Sequence, residues 1–188
     1  MAGVTLLKPR RLADDRGWFS ETWTRRDAAA LGIAADFVQD NHSLSRTPGT
    51  LRGLHFQVPP HAHAKLIRCL RGRIFDAVVD LRRGSPTYGR WTAVELSGAN
   101  GWQLFVPVGF GHGFMTLEPD TEVAYKISDY YAPECDRGLR HDDPAIGIAW
   151  PKVPGGPVLS GRDRALPDLS GFDSPFAYDG EPLCPLPA

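Results

Sequence analysis

Several features that mark particular classes of protein are scarce in this sequence. Across 188 residues, 21 lysines and arginines are balanced by 22 aspartates and glutamates, which leaves a formal net charge of -1. This balance gives no reason to expect a nucleic acid or an acidic membrane as a partner. No apolar run is long enough to span a bilayer, and Met1–Lys8 lacks the apolar stretch of a signal peptide.

Cysteine is also rare. The three cysteines, Cys69, Cys135 and Cys184, are odd in number, and their spacing matches neither a disulfide framework nor a set of metal ligands. A reducing compartment is the simplest explanation of this usage. The sequence therefore predicts a cytoplasmic protein.

Glycine and proline, by contrast, are frequent, with 20 and 17 copies spread along the chain. Short apolar and β-branched runs lie between them and are separated by turn-forming residues. Many short strands separated at regular intervals by turns favour an all-β sandwich or barrel. The predicted strands are Lys65–Leu70, Ile74–Leu81, Thr92–Leu96, Gln103–Val106, Phe114–Leu117 and Glu122–Ile127.

Helical signals are confined to two short stretches. Thr24 and Asp27 form a capping box, Ala28–Leu31 continues the helix, and Gly32 is a suitable end. A second helical turn is predicted near Asp142–Ala145. A few short helices are therefore expected beside the strands.

The chain shows no internal repeat and no domain boundary. Residues 1–170 are expected to form one domain. From Pro151 onward the sequence is rich in proline and less periodic, and residues 171–188 are expected to form a loosely ordered C-terminal tail.

The segment Leu51–Gln57 carries the most informative residue, His55. Arg52 and His55 break the alternation of a plain core strand, since both are large polar residues among apolar ones. An imidazole with apolar flanks and a nearby cation suits proton transfer, because its ordinary pKa lies near neutrality. A buried, hydrogen-bonded structural histidine is the alternative.

A second motif combines glycine, proline and histidine at fixed spacing. Gly101, Pro107, Gly109 and His112 resemble the second motif of the cupin superfamily, although Thr116 stands where that motif ends in asparagine. The turn at Pro107 and Gly109 is expected to place His112 on the inner wall of a small barrel.

The first cupin motif is present only in part. His61 and His63 supply its His-x-His, but Lys65 and Arg68 follow where a carboxylate ligand is required. These cations would repel a divalent metal, so no metal site is predicted. A metal-dependent cupin that uses His61, His63 and His112 remains the alternative.

Beyond these two motifs, the chain resembles the dTDP-4-dehydrorhamnose 3,5-epimerase family from about Asp15 to Asp163. The agreement extends over many segments in the same order. They are Asp15–Glu21, Phe37–Ser43, Leu51–Gln57, Lys65–Arg68, Phe75–Arg82, Gly84–Gly89, Pro107–Phe114, Ala124–Lys126, Asp129–Pro133, Asp142–Pro144 and Ile148–Pro151.

The resemblance implies an all-β cupin jelly-roll barrel (a double-stranded β-helix) that works as a homodimer without metal or cofactor. It implies epimerisation of a dTDP-sugar, dTDP-4-dehydro-6-deoxy-D-glucose, at C3 and C5 in dTDP-L-rhamnose biosynthesis. Part of the N-terminal segment is expected to reach the partner's site. An epimerase specific for C3 or for C5, and a binding module without activity, are the alternatives.

Four catalytic residues follow from the resemblance. His55 is the expected base, Asp163 orients it, and Lys65 lies beside the enolate oxygen. Tyr125 is the expected acid on the other face of the sugar, and the alternation of its strand places it inside the barrel. Read without the family, Tyr125 could be a core tyrosine, Lys65 a surface lysine and Asp163 part of a solvated charged loop.

Substrate contacts also follow from the resemblance. Arg16 and Arg52 match residues that contact the diphosphate, and Tyr131 matches one that stacks on thymine. The acidic nucleotide contact is Glu134 or Asp136. The full set of expected binding residues is Arg16, Phe19, Glu21, Gln39, Asp40, Asn41, Arg52, His112, Tyr131, Asp136 and Arg162.

Two further aspartates are assigned a structural role. Asp76 and Asp80 share a strand face with Val78. We expect them to pair with Arg82 or with a neighbouring strand.

Overall fold

A computed structural model of the chain describes residues 3–186, and two five-stranded antiparallel sheets dominate it. The first sheet contains β1 (Thr5–Leu7), β4 (Gln39–Ser45), β6 (Lys65–Arg71), β9 (Gln103–Val106) and β11 (Thr121–Ile127). Its spatial order is β1-β9-β6-β11-β4. This order brings together strands that are far apart in sequence, as the crossed connections of a jelly roll require.

The second sheet faces the first. It contains β5 (Leu51–Gln57), β7 (Arg73–Asp80), β8 (Trp91–Ser97), β10 (Phe110–Thr116) and β12 (Asp136–Gly138), in the order β12-β5-β10-β7-β8. A separate hairpin joins β2 (Leu12–Asp14) and β3 (Gly17–Phe19). The helices are α1 (Arg25–Ala30) and α2 (Gly161–Arg164), with 3-10 turns at Pro133–Cys135 and Leu169–Gly171.

Apolar side chains from both sheets fill the space between them. Alternate residues point inward, because successive side chains of a strand face opposite sides of its sheet. The predicted all-β jelly-roll barrel with a few short helices is confirmed. The buried core residues are Ile67, Cys69, Ile74, Val78, Val94, Leu96, Leu104, Val106, Phe110, Phe114, Val123 and Leu183.

The two predicted helical stretches have different outcomes. Helix α1 is confirmed, since the Thr24 hydroxyl accepts a hydrogen bond from the Asp27 N–H at 3.1 Å and Gly32 follows with φ +76°. The predicted helical turn near Asp142–Ala145 is present only as a single turn, in which the Gly147 N–H donates to the Asp143 backbone oxygen at 2.8 Å, and it does not extend into a helix. The Asp143 carboxylate accepts the N–H groups of Ala145 and Ile146, two and three residues later, and so caps the start of this turn.

The length and composition of the helices bear on whether a helix of this chain could cross a membrane. Within residues 3–186, neither helix has the length and apolar character needed to cross a bilayer.

The chain beyond Gly171 lies along the barrel as far as it is described. The backbone of Arg83 exchanges hydrogen bonds with Phe176 (2.7 Å) and Tyr178 (2.9 Å), and the Leu186 N–H donates to the Thr92 hydroxyl at 3.0 Å. Leu183 belongs to the barrel core. The last two residues of the predicted tail, 187–188, lie outside the described residues.

A buried network that we call the Asp80 cluster (Asp80, Arg82, Ser85 and Thr87) joins this segment to the barrel. The Asp80 carboxylate accepts hydrogen bonds from Arg82 (2.8 and 2.9 Å), Ser85 (2.6 Å) and Thr87 (2.8 Å). The Arg82 guanidinium also donates to a backbone oxygen of the C-terminal segment, at 2.9 Å. The predicted pairing of Asp80 with Arg82 is confirmed, and its role is structural.

Candidate active site

A shift of register in β5 sets the orientation of two polar side chains. His55 pairs with His112 of β10, but Arg52 pairs with Phe114, so β5 has one extra residue between these pairs. Such a bulge turns Arg52 and His55 to the same side of the sheet although they are three residues apart. Gly53 has φ +123° at this point, and a Cβ there would lie 2.6 Å from the Cα of Gly113. Only glycine fits this approach.

His55 forms a hydrogen-bonded pair with Asp163. The His55 Nε2 and the Asp163 Oδ1 are 2.6 Å apart, and the Gly53 N–H lies 3.4 Å from the same oxygen. The Ser160 hydroxyl donates to the other oxygen, Oδ2, at 2.6 Å. Asp163 is only 4% exposed, so the solvated loop expected as its alternative is not observed.

The charge states of the pair follow from these contacts. Burial opposes ionisation of Asp163, but hydrogen bonds from His55, Ser160 and the Gly53 N–H outweigh it and lower its pKa to about 2. Burial lowers the pKa of His55; the hydrogen bond to Asp163 opposes this, and the charge of Lys65 adds to it. At neutral pH, therefore, a neutral imidazole donates its Nε2–H to a carboxylate, and its Nδ1 lone pair is available as a base.

Lys65 extends from the facing sheet toward His55. Its Nζ donates to the backbone oxygen of His55 at 3.0 Å, and the residue is only 8% exposed. Burial lowers its pKa to about 8, while the charges of Asp136 and Asp76 oppose that change. Lys65 thus remains mostly protonated at neutral pH, as a buried point charge.

Tyr125 lies across the site from His55. It is on β11 of the first sheet, whereas His55 is on β5 of the second, and both line the same cavity. Val123 and Ile127 share its face and are buried. Burial raises the pKa of Tyr125, so the phenol keeps its proton at neutral pH.

The cavity between these residues has a volume of about 100 Å³, smaller than the ~300–1,000 Å³ typical of small-molecule sites. Tyr131, Asp136 and Arg162 form part of its lining. The Tyr131 hydroxyl donates to the Asp136 carboxylate at 3.1 Å, and Arg162 pairs with the same carboxylate at 2.7 Å. Of the two expected acidic contacts, Asp136 lines the cavity, whereas Glu134 is exposed outside it.

Two polar residues of β4 also line the cavity. Gln39 and Asn41 line the cavity and are joined by a hydrogen bond of 2.9 Å. Asp40 lies between them and points to the opposite face, where Lys126 pairs with it at 2.8 Å. Arg52 is held beside β4, with its Nε 3.3 Å from the Ser45 hydroxyl.

Six expected binding residues do not line this cavity: Asp40, Arg52 and His112, and the three N-terminal residues Arg16, Phe19 and Glu21. Arg16 belongs to the β2–β3 hairpin, where it pairs with Asp14 at 2.6 Å. Phe19 is 68% exposed at the end of the same hairpin, and Glu21 follows it. Both Phe19 and Glu21 line a different groove, between the hairpin and α1.

His112 lies on the inner wall, as the second motif predicts, but it is buried and hydrogen-bonded. Its Nε2 contacts the Oδ1 of Asp76 on the neighbouring strand, β7. The expectation that Asp76 pairs with a neighbouring strand is therefore confirmed. The sequence alone does not identify His112 as the partner of Asp76, although the inward positions of the two residues on adjacent strands are a signal for such a pair.

His63, which in the sequence is only part of an incomplete metal motif, is a residue of the cavity wall. It lines the cavity together with Gln57, and its Nδ1 is buried without a protein partner. Burial and the charge of Lys65 lower its pKa to about 4. His61 instead pairs with Asp129 at 3.1 Å. Within residues 3–186, no group of three or more histidines, cysteines or carboxylates is arranged to hold a metal.

Comparison with known proteins gives a consistent result. A family model described as dTDP-4-dehydrorhamnose 3,5-epimerase matches residues 1–171. A protein of that name from Sinorhizobium fredii is 52% identical over 182 residues, which cover 95% of this chain and 91% of the relative.

Solved structures agree with the sequence comparison. The dTDP-6-deoxy-D-glucose-3,5-epimerase of Legionella pneumophila, in complex with dTDP-4-keto-L-rhamnose, superposes with a TM-score of 0.88 at 40% identity and 94% coverage of both chains. The dTDP-4-dehydrorhamnose 3,5-epimerase of Bacillus anthracis, with TDP and PPi bound, has a TM-score of 0.86 at 47% identity. That match covers 88% of this chain and 94% of the other.

Proposed function

The chain belongs to the dTDP-4-dehydrorhamnose 3,5-epimerase family, and we propose that His55, with Asp163, is the base of its reaction. The protein is an isomerase that inverts C3 and C5 of dTDP-4-dehydro-6-deoxy-D-glucose. Its product is dTDP-4-dehydro-L-rhamnose, an intermediate of dTDP-L-rhamnose biosynthesis.

The chemistry requires a base and an acid on opposite faces of the sugar. The C4 ketone acidifies the protons on C3 and C5. His55 Nδ1 takes one proton, and the electron pair of the broken C–H bond moves to the ketone oxygen as an enolate. Lys65 stabilises that oxygen by its charge. The Tyr125 hydroxyl then donates a proton to the same carbon from the other face, with no net oxidation or reduction.

One observation carries this assignment: His55 and Tyr125 project from facing sheets into the same cavity. A proton removed on one side can thus be replaced on the other. Asp163 supports the base because it accepts the Nε2–H and stabilises the imidazolium formed in the reaction.

The remaining expected contacts are proposed to hold the nucleotide and the sugar. Arg52 and Arg162 suit the diphosphate, since a guanidinium fork matches its oxygens. Tyr131 supplies an exposed ring for stacking on thymine. His112, beside His55 in the register of β5 and β10, is assigned to the sugar.

The chemistry assigned to these residues needs neither a metal nor an organic cofactor, because Lys65 supplies the positive charge at the oxygen. We place the enzyme in the cytoplasm, where thiols such as those of the three free cysteines stay reduced. Metal analysis of protein purified without chelators tests the first point, and one equivalent of a transition metal would contradict it.

Deuterium incorporation tests the function itself. The expected result, by proton NMR of dTDP-4-dehydro-6-deoxy-D-glucose with the protein in D2O, is label at both C3 and C5. Label at one carbon would select a single-site epimerase. Ligand binding without any label would leave only a binding module.

We further propose a homodimer in which the β2–β3 hairpin enters the partner's site. Trp18 is 58% and Phe19 68% exposed, which is unusual for large apolar side chains close together. The cavity of one chain is also small for a nucleotide sugar. A hairpin from the partner would cover these rings and bring Arg16, Phe19 and Glu21 to the site.

Mixing two inactive variants tests this arrangement. If the hairpin serves the partner, His55→Ala chains mixed with Arg16→Ala chains form dimers with one intact site. Equal mixing would then restore about a quarter of the wild-type activity. No recovery, with exchange of subunits shown by mass spectrometry of tagged chains, would mean that each hairpin serves its own chain.

A further inference from the structure

The Ser160 hydroxyl makes two hydrogen bonds to the same residue. It accepts the backbone N–H of Asp163 at 3.0 Å, and so caps the N-terminus of α2. It also donates its only proton to the Asp163 Oδ2, at 2.6 Å. The first bond is ordinary helix capping, but the second acts on the carboxylate that faces His55.

These two bonds fix the orientation of the carboxylate. With Oδ2 engaged by Ser160, the second oxygen, Oδ1, is directed to the His55 Nε2 at 2.6 Å. Rotation of the carboxylate would break both short bonds together. The site thus contains a chain of contacts from Ser160 through Asp163 to the imidazole.

We propose that Ser160 is a positioning residue of the epimerase, which holds the Asp163 carboxylate in the orientation that directs the base. This inference rests on the proposed role of His55. Ser160 does not touch the cavity itself, so its effect must pass through Asp163.

The position of α2 does not depend on this hydroxyl alone. Arg162 anchors the helix to β12 through Asp136, at 2.7 Å. Just before the helix, Val158 is hydrogen-bonded to the backbone of Leu51 and Gly49, both at 2.9 Å. Loss of the Ser160 hydroxyl should therefore change the carboxylate orientation while the helix stays docked.

The chain contains a matched control for capping. Thr24 caps α1 by accepting the N–H of Asp27, three residues later, as Ser160 does for Asp163. The Asp27 carboxylate, however, is exposed and pairs with Arg26 at 3.1 Å. The two caps share their local geometry and differ in what the capped aspartate contacts.

The experiment compares Ser160→Gly, Ser160→Thr and Thr24→Gly. Glycine is tolerated at N-cap positions but has no hydroxyl, whereas threonine keeps one. We expect Ser160→Gly to lower kcat by roughly 10- to 100-fold, as loss of a supporting hydrogen bond does in other sites, with KM within about twofold. The acid limb of its kcat/KM profile should move to lower pH, because His55 loses the bond that raises its pKa. Ser160→Thr and Thr24→Gly should behave like wild type.

A second readout does not depend on turnover. In water, the His55 Nε2–H bonded to buried Asp163 should give a downfield proton resonance, which we expect to be lost in Ser160→Gly and kept in the other two variants. If Ser160→Gly keeps this resonance, the wild-type pH profile and a kcat within twofold, Ser160 is only a helix cap and the inference is wrong. If wild type itself fails to exchange deuterium into the sugar, the proposed function fails, and the resonance still tests the positioning.

Discussion

Asp80 and Asp163 are both buried carboxylates, and each accepts a hydrogen bond from a serine hydroxyl at 2.6 Å. Their main partners differ. Asp80 binds the guanidinium of Arg82, which cannot release its proton in a protein. Asp163 binds the imidazole of His55, which can. Burial of a carboxylate is therefore not the signature of the site. A partner that exchanges protons is needed as well, and His55, unlike the buried His112 beside Asp76, also lines the cavity.

The surroundings of the two carboxylates also differ, in whether the partner of the carboxylate is covered or faces a cavity. Both oxygens of each carboxylate are engaged. The Arg82 guanidinium, however, is also covered by the rings of Phe110 and Tyr178, whereas His55 faces a cavity. In that cavity, the Nδ1 of His63 is buried without a protein partner. A satisfied buried network adds stability and specificity, whereas unengaged polar atoms remain available to a ligand.

The largest expected effect would separate the two aspartates by activity. Asp163→Asn keeps the shape of the side chain but removes the charge that stabilises the imidazolium and selects its tautomer. We expect kcat to fall by about 10³- to 10⁴-fold, with a loss of unfolding free energy at neutral pH of no more than about 2 kcal/mol. Steady-state kinetics and urea unfolding measure both. A kcat within tenfold of wild type would remove Asp163 from the mechanism.

The next effect is on stability. Asp80→Ala leaves the buried guanidinium of Arg82 without its counter-charge, and should lower the unfolding free energy by about 3–5 kcal/mol. At a temperature where the variant is folded, kcat should stay near wild type. A stable variant with lost activity would reverse the roles assigned to the two carboxylates.

A smaller effect concerns the acid opposite the base. Tyr125→Phe should slow formation of the epimerised product by about 100-fold, while His55 still exchanges the first proton with solvent. Proton NMR in D2O separates exchange from inversion. Tyr88→Phe, outside the cavity, is the control. Equal loss of exchange and inversion in Tyr125→Phe would contradict the role of Tyr125 as the acid.

The smallest effect is on stability in acid. The pKa of Asp163 is 3.8 unfolded and about 2 folded, so the unfolded chain binds the proton more tightly between these values. The ionised Asp163 therefore contributes about 2 kcal/mol to the unfolding free energy above about pH 4. This contribution is lost as the pH falls through 2. Urea unfolding should show that the unfolding free energy falls less between about pH 6 and about pH 3 for Asp163→Asn than for wild type. An equal loss would mean that the folded carboxylate titrates normally.

Much of the barrel could be predicted from sequence because its longer strands carry their own signals. Ile74–Leu81 and Glu122–Ile127 were predicted within a residue or so of β7 and β11. The three-residue strands β1, β2, β3 and β12 were not predicted, since such short strands are defined by pairing with a neighbour rather than by a pattern of their own. Two longer strands were also not predicted: β4 is mostly polar, and the alternation of β5 is broken at Arg52 and His55.

In the site, too, some features have a signal in the local sequence and others depend on tertiary contacts. The irregular alternation at Arg52 and His55 singled out this segment in the sequence, and the bulge in β5 is its structural cause. The burial of Asp163 had no local signal, because α2 has four residues and the charges around the aspartate are typical of a solvated loop. Ser160 was missed for the same reason, as its second hydrogen bond is meaningful only beside His55.

The hydrogen bond between His55 and Asp163 joins residues 108 positions apart in the chain. Strand pairs of the barrel span similar separations, as Thr5 and Phe105 do, but they support one another along whole strands, whereas α2 is held by single side-chain bonds and should dock last. A chain with its strands paired but α2 undocked would have a barrel without an oriented base. In stopped-flow refolding, the tryptophan signal of the barrel should therefore recover before the activity does, so that catalysis reports the completed fold.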